Sequence, residues 1–152
     1  MGNILVTAIS IFIPITIHTS IIPTLMRPDI LGGSPWSPPN MFVYVLIYYS
    51  IMYFMLWFLS WLGNMYYTLF NCKKLEAIKS ATYANYTPFI AFIGIFLNNT
   101  FLLPFIKSMI LSFTSWLPYS HHFVNGIVTA PFVFIGTMFS QRYLNKVVCG
   151  FY

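Results

Sequence analysis

The chain has 152 residues, of which 59% are hydrophobic, 20% aromatic and only 6% charged. Seven Lys and Arg against two acidic residues cannot clothe a globular surface, which in a soluble domain is about 25% charged. With a mean hydropathy of +0.77, the composition excludes a soluble protein and indicates an all-α, polytopic integral membrane protein without a substantial soluble domain.

Charge then narrows the chemistry. Asp29 and Glu76, the two carboxylates, lie in different polar segments. Paired-carboxylate catalysis and oxygen-ligated Mg²⁺ or Ca²⁺ sites are therefore not expected. The net charge of +5 flanks apolar runs instead of clustering on one face, a pattern that fits anionic headgroups and excludes nucleic acid as a partner. Cys72 and Cys149 read as two isolated interfacial thiols, neither a CxxC pair nor a disulfide framework.

Charge-free runs cover 1–26, 30–72, 80–106 and 108–141. Each is long enough for the roughly 20 apolar residues that cross a bilayer. The expectation is one membrane domain over 1–152 with about four spans, at 4–26, 41–63, 87–106 and 122–141.

The first span carries Pro14, His18 and Pro23, predicting a kink near Pro14 and a histidine facing protein. Residues 27–40, RPDILGGSPWSPPN, are too rich in Pro and Gly for a helix, and Trp36 is placed to anchor at the headgroups. In the second run, Tyr49, Tyr53, Trp57 and Trp61 recur every fourth residue along one helical face. That stripe is a packing surface first, and a flat wall for a pigment, quinone or sterol second.

The basic loop, 71–86, holds Lys73, Lys74 and Lys79, of which Lys73 and Lys74 act as interface anchors. Three lysines fall short of the usual polybasic lipid-binding cluster. In the third span Ala91, Gly94 and Asn98 form one small or polar face for close helix contact. Residues 108–118 are too short to cross alone and read as interfacial, re-entrant, or a continuation of the third helix. The last span repeats the small-residue pattern as Gly126-x-x-x-Ala130 and Gly136-x-x-x-Ser140, ending at the interface anchor Arg142. Five basic residues on one side against Arg27 and Lys107 on the other predict both termini on the cytoplasmic or matrix side.

The string His122-x-x-Asn125-Gly126-Ile127 resembles the haem-ligating segment of succinate dehydrogenase membrane-anchor subunits. That resemblance covers about ten residues and implies haem b ligated through His122; the family's following Arg-His is Val128-Thr129 here. Trp36-Ser37-Pro38-Pro39 resembles the loop before the second helix of the tryptophan-rich sensory proteins, which implies a sterol or porphyrin ligand.

With no nucleophile–base pair, metal cluster or phosphate loop, the chain reads as a non-enzymatic structural or accessory subunit of a larger membrane complex. A respiratory or ATP synthase assembly and a virion membrane are the settings considered, with a lean toward the mitochondrial inner membrane. The partners expected are the bilayer and other membrane subunits, with no cofactor. A haem b or quinone anchor, or a sterol or porphyrin binder, is the alternative.

Overall fold

A computed structural model describes residues 2–25, 38–97 and 103–150. Its described residues are almost all helical, without strands. Arg27, Asp29, Trp36 and Asn98 lie outside them, as does the side chain of Lys107.

The first span is a broken helix. It runs as α1 (Gly2–Ile11), α2 (Ile13–Thr16), a π-helical turn (Ile17–Ile21) and α3 (Ile22–Leu25). Prolines explain the breaks. Pro14 and Pro23 bring no N–H to the helix ladder, and each ring crowds the carbonyl one turn earlier. The helix yields at Phe12, two residues before Pro14, and widens to π geometry just before Pro23.

The second run forms one helix, α4 (Pro38–Asn71), of 34 residues. At 1.5 Å per residue it is about 50 Å long, well beyond the hydrocarbon thickness of about 30 Å. Its buried positions are Met52, Leu56, Ser60, Asn64 and Thr68, a strict four-residue spine. The helix ends where Lys73 adopts left-handed geometry (φ 56°) and the Lys74 N–H bonds back to the Thr68 carbonyl at 3.3 Å. The left-handed residue turns the chain out of the helix, a stop that usually employs glycine and is made here with lysine.

The chain resumes as α5 (Ala77–Ala84) and, after a break at Asn85, α6 (Tyr86–Leu97), which carries the start of the span expected over 87–106. Pro88, in the first turn of α6, makes this a favourable place to restart. Beyond residues 98–102 lies α7 (Leu103–Thr114), so the first part of the 108–118 stretch is helical. Tyr119, at φ 59°, then turns the chain into α8 (Ser120–Leu144), which closes in a second π-helical turn (Asn145–Cys149).

Three helical stretches are long and apolar enough to cross a membrane: Asn3–Leu25, Met41–Asn71 and Ser120–Cys149. The expected third crossing, 87–106, has no such continuous helix among the described residues.

At the centre stands α8, which packs most extensively on α6 and α1 and also meets α4, α5 and α7. Its buried stripe is mostly small or polar, with Gly126, Thr129, Ala130, Gly136, Thr137, Ser140 and Gln141 interspersed with Val124, Val133 and Leu144. Its exposed positions include Ile135, Met138 and Phe139. This polarity is inverted relative to a soluble helix. In lipid, apolar side chains gain nothing by turning inward, so close backbone approach and hydrogen bonds drive association.

The glycines show how close that approach is. A Cβ on Gly126 would run into the backbone of Ile11, beside the break in the first span. A Cβ on Gly136 would lie 2.7 Å from Thr87 Cα, and one on Gly94 would enter the Phe132 ring.

Cys72 and Cys149, read from sequence as isolated thiols, are joined as a disulfide with Cα atoms 5.1 Å apart. That reading is corrected. The pairing links positions separated by 77 residues, because α4 and α8 both run on past their last buried turns and end side by side.

Candidate functional site

Two polar layers interrupt the apolar body. The first lies where α4 and α8 begin. His18, on the π-helical turn, faces His122 on the first turn of α8, with ring centroids 3.7 Å apart and planes 19° from parallel. Tyr44 and Tyr48, one turn apart on α4, cover the other sides of His18. The Tyr44 hydroxyl stands 2.8 Å from His18 Nδ1 and 3.0 Å from Nε2, so the tautomer decides which nitrogen accepts from it. The π-helical widening places His18 at this junction.

The second layer lies near the other end of the same helices. Asn64 Nδ2 donates to Ser140 Oγ at 2.6 Å and to the Ser80 carbonyl at 3.2 Å. One turn earlier on α4, Ser60 and Thr87 share a hydroxyl hydrogen bond of 2.7 Å. All of these residues are buried, so α4, α5, α6 and α8 are tied by neutral groups in one knot. Asn64 Oδ1 and Ser80 Oγ are buried within it without a partner.

Between the layers runs the aromatic stripe. Trp61 Nε1 donates to the Ala77 carbonyl at 3.1 Å and Trp57 Nε1 to the Ala81 carbonyl at 3.0 Å. Tyr53 donates to Asn85 Oδ1 at 2.9 Å, and Tyr49 meets Phe92 edge to face. A four-residue repeat on α4 thus reads a four-residue repeat of acceptors at 77, 81 and 85. The stripe is a zipper between helices. Beside it, an open groove of about 490 Å³ runs between α4 and α6, lined mainly by Phe42, Leu46, Tyr49 and Phe92.

Of the residues singled out for packing, Ala91, Gly94, Gly126, Ala130, Gly136 and Ser140 are all buried at helix contacts. Lys73, Lys74 and Arg142 are exposed at the end that carries the disulfide. His122 is brought onto His18, which the spacing of the two histidines in the sequence does not reveal. Tyr44, Tyr48, Asn64 and Thr87 were missed. A signal for the knot was present, since Ser60, Asn64 and Thr68 recur every fourth residue inside an apolar run.

A haem held between His18 and His122 does not fit this arrangement. The two rings lie face to face at van der Waals separation, and a macrocycle ligated from both sides would have to stand between them. Among the described residues no group of three or more His, Cys, Asp or Glu is gathered for a metal ion.

Compared with protein-family models, curated proteins and solved structures, the chain matches none.

Proposed function

We propose that the chain is a non-catalytic, multi-pass subunit of a larger membrane assembly. In this reading it crosses the bilayer four times, through the three long helical stretches and the divided α5–α6 pair. The two polar layers support that frame. Tyr44 to Asn64 on α4 and His122 to Ser140 on α8 each span about 27–30 Å, which matches the hydrocarbon thickness.

The observation that carries the subunit reading is the contrast in burial between two long helices. Within its most apolar window α8 is 44% buried, whereas α4 is 11% buried. This helix of 34 residues packs one face on the core through Met52 and Leu56 and leaves another, studded with Phe42, Leu46, Phe54, Phe58 and Leu62, uncovered by its own chain. It is the face on which neighbouring membrane subunits would pack. The test is the native mass of the complex extracted in mild detergent, with co-migrating chains identified by mass spectrometry. A large, defined assembly is expected; a lone monomer overturns the reading.

A second reading rests on the meeting of His18 and His122 with Tyr44. Imidazole and phenol at the edge of the apolar layer can hydrogen-bond the carbonyl of a quinone head group. Saturable quenching of intrinsic fluorescence by a short-chain quinone, lost in both His18→Ala and Tyr44→Phe, would support it. Quenching unchanged in both variants would remove it.

Orientation is drawn in two directions. The charge bias puts the basic end on the cytoplasmic or matrix side. The disulfide favours an oxidising compartment, since thiols on a reducing side stay free. An impermeant maleimide applied to each face of sealed membranes, with and without prior reduction, separates the two. Labelling of both cysteines from the cytoplasmic or matrix face without reduction is the outcome that the charge-based orientation requires.

A further inference from the structure

We propose that the end of the molecule closed by Cys72–Cys149 is a binding surface for anionic phospholipid head groups, formed by Lys73, Lys74, Lys79, Arg142 and Lys146 together. This rests on the bilayer-spanning reading above.

In the sequence these cations form two groups, three in the 71–86 loop and two after the last span, each too small for a polybasic site. The fold merges them. The Cys72–Cys149 link sets Lys73 and Lys74 beside the turn that carries Lys146. Tyr143, next to Arg142, stacks on Tyr83 of α5 at 6.0 Å and on Tyr86 of α6 at 5.3 Å, so the turn of α8 that carries Arg142 lies alongside α5, the helix of Lys79. All five side chains are exposed, and Glu76 is the one carboxylate side chain in these two segments. Five cations reach the range of four to eight in which juxtamembrane clusters bind anionic lipid.

Height along the helices points to lipid in preference to a soluble acidic partner. If the Asn64–Ser140 knot marks the edge of the hydrocarbon, Arg142 lies about 3 Å beyond it, Lys146 about 9 Å and Cys72 about 12 Å. The head-group layer is about 5–7 Å deep on each side, and lysine stems are long enough to reach back into it. The same end also exposes Leu75 and Ile78, at 64% and 81%, interleaved with Lys74 and Lys79. Apolar side chains alternating with cations at this height fit an interface that offers both acyl chains and phosphates. A soluble acidic partner would leave those two side chains uncovered.

The test uses the full chain reconstituted in nanodiscs of mixed phosphatidylglycerol and phosphatidylcholine. Native mass spectrometry reads the ratio of anionic to zwitterionic lipid that the ejected protein retains. Removing cations in the triple variant Lys73→Gln/Lys74→Gln/Lys146→Gln should lower that ratio, by roughly fivefold per cation at low ionic strength. Glu76→Gln should raise it, and added salt should lower it for the unaltered chain. Unchanged retention in both variants overturns the proposal. The spanning reading fails separately, if the protein does not float with vesicles of any composition.

Discussion

The two polar layers are built from different chemistry, and under the two readings proposed above the difference separates a joint from a site. The Asn64 layer uses neutral amides and hydroxyls, fully buried, to bind four helices through short hydrogen bonds. The His18 layer uses four rings, only partly buried, that meet mostly through their faces, with the Tyr44–His18 hydrogen bond as the directional contact between helices. A layer made for cohesion has little reason to place titratable rings at a helix break. A layer made for chemistry has little use for groups that cannot change charge. The first should therefore be intolerant of substitution and the second comparatively permissive.

Wedges next to each layer should have the largest effect. Gly136→Leu drives a side chain into the Thr87 backbone, and Gly126→Leu drives one into Ile11. Neither obstacle is a side chain that can swing away, so each variant should lose about 3 kcal/mol or more, or fail to accumulate. Thermal unfolding in detergent, followed by tryptophan fluorescence, measures this. Gly63→Ala is the milder control, because its Cβ would meet only a Val6 methyl group, at 3.0 Å.

The comparison is sharpened by removing polar groups while keeping volume. Asn64→Leu should cost about 1–2 kcal/mol, near the upper range for hydrogen bonds between membrane helices. Tyr44→Phe should cost about 0.6 kcal/mol. His18→Phe, which keeps a ring against His122, should fall within about 0.5 kcal/mol of the unaltered chain. If His18→Phe proves as damaging as Asn64→Leu, the distinction between joint and site collapses.

A smaller change in the opposite direction is expected at Tyr119, whose φ of 59° strains a residue with a Cβ. Tyr119→Gly should raise stability by up to about 1 kcal/mol, read as a higher midpoint in the same thermal experiment.

The membrane class was legible because composition is a global property: 6% charge cannot be reconciled with a solvated surface. The small-residue faces of the third and last spans were legible too, since Gly94, Gly126 and Gly136 could be picked out by spacing alone. Partners were not. The aromatic stripe is plain in the sequence, but its acceptors are backbone carbonyls of Ala77 and Ala81, which have no sequence signature. Cys72 and Cys149 look isolated because nothing local records that α4 and α8 end side by side. The His18–His122 stack depends on a π-helical turn, a response to proline whose register a simple periodicity does not supply. The break at Asn85, just upstream of the span drawn over 87–106, leaves no mark in hydropathy.

The inverted helix α8 carries a consequence for biosynthesis. It follows all its partners in chain order, so in the bilayer-spanning reading proposed above α4 and α6 would reach the membrane before the helix they share has been made. Until then Asn64 lacks Ser140, and Thr87 lacks the cover of Gly136. At the usual pace of translation, the stretch from Thr87 to Ser140 takes roughly 3–10 s to synthesise. During that interval hydroxyl and amide groups face lipid. A half-made chain therefore differs from a finished one in a way that membrane chaperones and intramembrane proteases can sense, and arrival of the last helix removes the mark.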